Sequence, residues 1–215
     1  MEWTSLLPVS VERFADAAWE GDVHTIELGL KQRPSLDINA VNEKGRTALH
    51  WAVWNKQQAV VALLLAHSAN VNARCKDGWT SLHYAAFSCS GEQVTASLLE
   101  AKADMTAATD TGRTVLHCLI GAVLTPRYMT EERAIQALRW WMTRGAHPCL
   151  VMAAENGGAP IQYAQTKYRY VQVAEYLEKM AAHVRAVYVS VLSAHIGVVV
   201  LVDLVLEYFF PLPAS

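Results

Sequence analysis

Three histidines, His50, His83 and His117, recur at intervals of 33 and 34 residues, and His117 is followed directly by Cys118. Imidazoles in register suggest a metal ladder, and an imidazole beside a thiol suggests an activated nucleophile. Elementary geometry argues against both. Repeating units packed side by side stand ~10 Å apart, whereas Zn–N bonds are near 2 Å. Adjacent positions on a helix do not face each other. The cysteines Cys75, Cys89, Cys118 and Cys149 contain no C-x-x-C pair and read as reduced thiols of a cytosolic setting. There is no glycine-rich phosphate loop, no nucleophile elbow and no H-E-x-x-H. The residue types therefore predict no catalytic, cofactor or metal site.

The histidines mark a repeat instead. Gly45-Arg46-Thr47-Ala48-Leu49-His50-Trp51-Ala52-Val53 returns as Gly78-Trp79-Thr80-Ser81-Leu82-His83-Tyr84-Ala85-Ala86, and a third copy opens at Gly112-Arg113-Thr114-Val115-Leu116-His117. The run from Leu63 to Asn70 returns in Ser97 to Asp104. A period near 33 with a Thr-x-Leu-His opening resembles the ankyrin repeat family. The resemblance implies an all-α ankyrin-repeat solenoid of about five helix-turn-helix repeats joined by short β-turn connections, each repeat held by its neighbours. It also implies that the histidine is structural, tying neighbouring turns. Gly45, Gly78 and Gly112 fall where a turn needs positive φ. Thr47, Thr80 and Thr114 fall where a hydroxyl caps the first helix. Val60, Val61, Leu63, Leu64 and Leu65 give the second helix a wide apolar face.

The organisation expected is a repeat domain over 1–185. A degenerate N-terminal cap occupies 1–41, with Ser10 as the N-cap of a helix from Val11, a turn at Glu20-Gly21-Asp22 and a second helix from Val23 to Lys31. Asp37-Ile38-Asn39-Ala40 matches Asn70-Val71-Asn72-Ala73 and sets the register. Regular repeats follow at 42–74 and 75–108. The fourth, 109–154, is about a dozen residues too long, the excess lying at 121–133, where a tolerated surface insertion is expected. Thr130 then starts a fresh helix with acids in its first turn. A closing cap at 155–185 replaces the histidine with Gln162 and has a polar second helix from Tyr170 to Arg185.

The segment 186–210 changes character. Residues 186–202 carry no formal charge. At ~1.5 Å per residue they span about 25 Å, short of the ~30 Å hydrocarbon core. Extension to Phe210 reaches that length and includes Asp203 and Glu207. Three readings stay open: a transmembrane tail whose near side, flanked by Lys179 and Arg185, faces the cytosol, an apolar C-terminal helix docked on the last repeat, or a disordered apolar tail. If the chain is complete, the first is a tail-anchored protein, ending in a short tail at 211–215. Met1 to Ser5 lack the features of a signal peptide, so the repeats are expected to face the cytoplasm.

The net charge of −2 comes from Asp203 and Glu207, and the chain up to Arg185 is neutral. Without a basic stripe, nucleic acid is not an expected partner. Nothing points to a small-molecule substrate. The expected partner is another protein, bound on the concave surface by a scaffold or adaptor without catalysis. By the resemblance, the variable surface comprises Glu43, Lys44, Arg46, Trp54 and Asn55, then Lys76, Asp77, Trp79, Phe87 and Ser88, then Asp110, Thr111 and Arg113. Aromatic residues and arginine dominate interface energetics. The partner-binding set is accordingly Lys44, Arg46, Trp54, Lys76, Trp79, Phe87 and Arg113. Trp51 and Tyr84 read as packing residues. If Trp54 and Trp79 lie in water, replacing both by alanine abolishes partner capture and leaves the melt nearly unchanged. The rival reading makes the repeats the N-terminal part, or a non-catalytic fragment, of a membrane protein such as an ankyrin-type palmitoyltransferase or a channel. The Asp-His-His-Cys motif of those transferases is absent.

Overall fold

Two short polar side chains start the first two helices. The Ser10 hydroxyl accepts the Arg13 N–H at 3.2 Å and opens α1, Val11–Glu20. Gly21, at φ +84°, ends it, and its N–H returns to the Ala17 carbonyl at 2.9 Å. The Asp22 carboxylate then accepts the Thr25 N–H at 3.1 Å and the Thr25 hydroxyl at 2.6 Å, which opens α2, Val23–Lys31. Those bonds, the hydroxyl's first, hold the Asp22 carboxyl below its usual range. Asp22 completes the expected turn with a cap that the repeat pattern did not suggest.

The computed structural model describes residues 9–31, 36–88, 91–123, 131–144 and 175–179, together with 182 and 186. Six further helices follow in pairs: α3 Ala48–Trp54 and α4 Gln58–Ala66, α5 Ser81–Ser88 and α6 Glu92–Glu100, α7 Val115–Val123 and α8 Glu131–Thr143. The first helices pack in a row, α1 on α3 on α5 on α7, and the second helices form another row, α2 on α4 on α6. The core runs through the stack. Leu49, Leu82 and Leu116 are each buried to 1% or less at equivalent places in successive layers, and Ala52 and Ala85 are as deeply buried where helices approach closely. Among the described residues there is no strand, only an isolated bridge between Ala108 and Thr114.

The connections between layers are tight fingers. Asn42, Cys75 and Thr109 each donate to the carbonyl four residues on, at 3.0, 2.9 and 2.8 Å, across Gly45, Gly78 and Gly112 at φ +73°, +75° and +84°. Neighbouring fingers are joined in constant register: Lys76 N–H donates to the Lys44 carbonyl at 3.1 Å, and Asp110 N–H to the Asp77 carbonyl at 3.2 Å. Asn39 accepts the Asn70 N–H, and Asn72 accepts the Asp104 N–H one layer on, both at 2.8 Å. The expected alignment of residues 37–40 with 70–73 therefore holds.

The histidines do the work of ties. At each opening Nδ1 lies 2.9 Å from the threonine hydroxyl and accepts the threonine N–H, at 3.0 Å in His50, 3.2 Å in His83 and 3.1 Å in His117. Thr47 and His50 make a reciprocal capping box in which the imidazole replaces the usual Glu or Gln. A backbone N–H only donates, so Nδ1 is bare and the proton sits on Nε2. Nε2 in turn donates forward: His50 to Ala73, at the end of its own repeat, at 3.1 Å and to Trp79 of the next layer at 3.3 Å, and His83 to Arg113 of the next layer at 3.2 Å. Burial pushes both rings down to about pKa 4, against a smaller raising effect of the carbonyls.

Three expectations need adjustment or lie beyond view. In the fourth repeat, α7 continues through Gly121 and ends at Val123; the stretch from Leu124 expected to interrupt the helices, and Thr130 after it, lie outside the described residues. The closing repeat is described only in part: 175–179 is helical, and Leu177 is fully buried. The segment 186–210 lies outside the described residues except for 186. No described helix is long and apolar enough to cross a membrane.

Two predictions follow from the turns and ties. A Cβ on Gly78 would stand 2.6 Å from the Asp110 backbone nitrogen at positive φ, whereas one on Gly91, at φ +89°, meets nothing within 4 Å. Chemical denaturation of Gly78→Ala should show a loss of about 2 kcal/mol or more, and of Gly91→Ala about 1 kcal/mol. The second concerns pH. The folded-state pKa values of His50 and His83 lie below the unfolded value near 6.5, so the neutral rings favour the fold above that pH. The advantage is lost as pH falls from about 6.5 towards 4, at about 1.4 kcal/mol per pH unit for each ring. Melts across that range should fall steeply for the native chain and less steeply for His50→Gln with His83→Gln, which starts from a lower plateau at pH 7.

Candidate binding surface

Finger and inner helix place large side chains in columns. Arg46, Trp79 and Arg113 each follow the finger glycine and are equivalent across three layers. Trp51 and Tyr84 share one column on α3 and α5, and Trp54 and Phe87 share another, three residues on and on the same helix face. The stack brings these columns together. Tyr84 is the hub, buried to 3% exposure, with ring centroids 5.0 Å from Trp54 and 5.1 Å from Trp79. Phe87 lies 5.6 Å from Trp79, edge to face, and 6.2 Å from Trp54, and is 38% exposed. Such contacts between rings add about 0.5–1.5 kcal/mol each beyond the area they bury. The Tyr84 hydroxyl lies 3.7 Å from Cys75 Sγ, and burial pushes its pKa well above the ordinary value. It stays protonated at physiological pH.

Arg46 enters this cluster from the first finger. Its guanidinium carbon stands 4.9, 5.7 and 5.5 Å from the ring centroids of Trp51, Trp54 and Tyr84. That is within cation–π range of three rings. Of the seven residues expected to bind a partner, four are thus gathered in one cluster: Arg46, Trp54, Trp79 and Phe87. Lys44 and Lys76 are exposed on their fingers, with the Lys44 carbonyl bonded to the Lys76 N–H. Arg113 is half-buried on the next finger, where its carbonyl receives the His83 proton.

Some expectations are revised. Trp54 and Trp79 do not stand open to water; both are partly buried and packed against the core. The double alanine variant would therefore lose core packing along with any partner, and an unchanged melt is not its expected signature. Tyr84 and Trp51 pack on the core as expected, Tyr84 buried and Trp51 half-buried at the edge of the cluster. Asn55 and Asp110, named among the variable positions, are exposed as expected but bonded within the chain. Asn55 donates to the Trp19 carbonyl at 2.6 Å, beside Gln57 at 3.0 Å, and Asp110 pairs with Arg74 at 2.9 Å.

Trp19 extends the aromatic strip and was missed. Its ring meets Trp51 edge to face at 5.4 Å and is 39% exposed. The signal was present: Trp19 precedes Gly21 as Trp54 precedes Lys56, and both following residues adopt positive φ. The chemistry on offer is apolar and aromatic contact with one cation at its edge. Among the described residues no His, Cys, Asp or Glu cluster is suited to a metal ion, and the repeat histidines are committed to their ties.

Residues 14–109 match the family description for ankyrin repeats in three copies. The RelA-associated inhibitor of Mus musculus is 36% identical over 85 residues, which is 40% of this chain and 10% of that protein. The palmitoyltransferase akr1 of Schizosaccharomyces pombe is 44% identical over 57 residues, 26% of this chain and 9% of the relative. The Notch-regulated ankyrin repeat-containing protein of Homo sapiens is 29% identical over 86 residues, 39% of this chain and 75% of the relative. The chain thus spans about a tenth of the first two relatives' length. With the 33-residue period, the finger register and the histidine ties repeated layer upon layer, residues 14–109 are a run of ankyrin repeats.

Proposed function

We propose that this chain is a protein-recognition module, a scaffold or adaptor without catalysis, that binds a partner protein on the face formed by its fingers and inner helices. Arg46, Trp54, Trp79 and Phe87 are its centre, and Lys44, Lys76 and Arg113 line its rim. One observation carries the reading: half-exposed rings from two successive layers meet on one face, with Phe87 open to solvent. Rigid aromatic anchors beside an arginine are the usual seat of binding energy. Relatives named for association with, or regulation by, another protein agree with it. The partner is a protein; no cofactor, nucleic acid or small molecule enters the reading.

The similarity to a palmitoyltransferase favours a second reading, in which the repeats serve a membrane protein. The matched stretch of that relative is a small part of it, so the support is confined to the repeats. The uncharged run at 186–202 would then be the membrane contact.

Two measurements test these readings. Phe87→Ala should cut affinity capture of the partner by about 30-fold or more while lowering the melt by only a few degrees; undiminished capture overturns the binding face. In carbonate extraction of membranes from cells expressing the chain, retention in the pellet and release on truncation at residue 185 are expected under the membrane reading, and release of the full chain ends it.

A further inference from the structure

Among the described residues Arg46 is a cation without a counter-ion. Three rings hold its guanidinium, and its Nε is closed off from water without a hydrogen-bond acceptor, while the residue as a whole is half-buried. Among the described residues no carboxylate forms an ion pair with it; the acid on the neighbouring fingers that does pair, Asp110, is taken by Arg74. The two titratable groups beside it bring no negative charge. His50 is a neutral ring bonded to Thr47 and to the next layer, and Tyr84 keeps its proton. The fingers beside it balance, Lys44 against Glu43 on the first and Lys76 against Asp77 on the second, so Arg46 is the excess charge of this face. The repeats as a whole, up to Arg185, are neutral.

A partly desolvated guanidinium is strongly stabilised by a carboxylate, which it meets with two parallel N–H donors. A cation arriving at the same rings would find their attraction already occupied and meet like charge. Resting on the binding face proposed above, we infer that the partner contributes a protein segment with an aspartate or glutamate flanked by apolar side chains. Its carboxylate closes on Arg46, and its apolar neighbours lie on Trp54, Trp79 and Phe87.

The test is a selection of displayed random dodecapeptides on the full chain, followed by synthesis of the best binder and titration by fluorescence anisotropy. Acidic residues set among apolar ones should be enriched. Changing the binder's acid to its amide should weaken binding to the native chain by about 30-fold or more. Arg46→Gln should weaken it comparably, and the two changes together should be far from additive. The peptide change leaves the protein untouched, so it decides the matter even if Arg46→Gln folds poorly. Enrichment of basic or uncharged segments, a silent acid-to-amide change, or an additive cycle overturns the inference. If Phe87→Ala abolishes binding while the acid-to-amide change is silent, the face stands and this inference alone falls. Acid-dependent binding that ignores Phe87→Ala, or no binder at all, counts against the face itself.

Discussion

A neutral imidazole wedged between a threonine and the next layer's carbonyl is the contact on which the rest of this structure depends. One ring nitrogen receives the N–H that opens a helix, and the other gives its proton across the layer boundary. The same ring therefore caps its own helix and sets the position of the following finger. Trp79 shows how far this reaches. Its carbonyl is one of two that His50 engages, so the tryptophan that faces outward from the third layer is anchored by the second. Burial keeps the ring uncharged, and the uncharged ring alone fits the donor pair at Nδ1. Fold, protonation state and surface are settled together.

What was legible in the sequence was whatever a single layer repeats. Leu49, Leu82 and Leu116, the finger glycines, and the Thr-x-x-His pairs occupy equivalent positions because each sees an equivalent neighbour. What escaped depends on unlike residues meeting across layers. Trp54 reads as exposed when its own repeat is considered alone, yet Tyr84 of the next layer covers it. Asn55 reads as a free loop residue, yet the Trp19 carbonyl of the preceding layer holds it. Trp19 was hidden because its layer lacks the Thr-x-Leu-His opening that would have set its register. Periodicity predicts positions, and sideways contacts decide exposure.

The aromatic face shows the same logic turned to recognition. Rings at two successive layers are held about 5 to 6 Å apart by the stack rather than by their own loops. Few rotamers remain to be lost when a partner arrives, which lowers the entropic cost of binding. Arg46 is fixed in the same way, by faces of rings that are themselves packed. Desolvating a charge is costly, and ring contacts offset only part of it.

The ties also give the stack a direction. The second layer reaches forward with a deeply buried ring and backward with two surface amides, Asn55 and Gln57, on the Trp19 carbonyl. The two sides of that layer are thus unequal: its forward boundary rests on a bond shut away from solvent, its backward one on bonds for which water can compete.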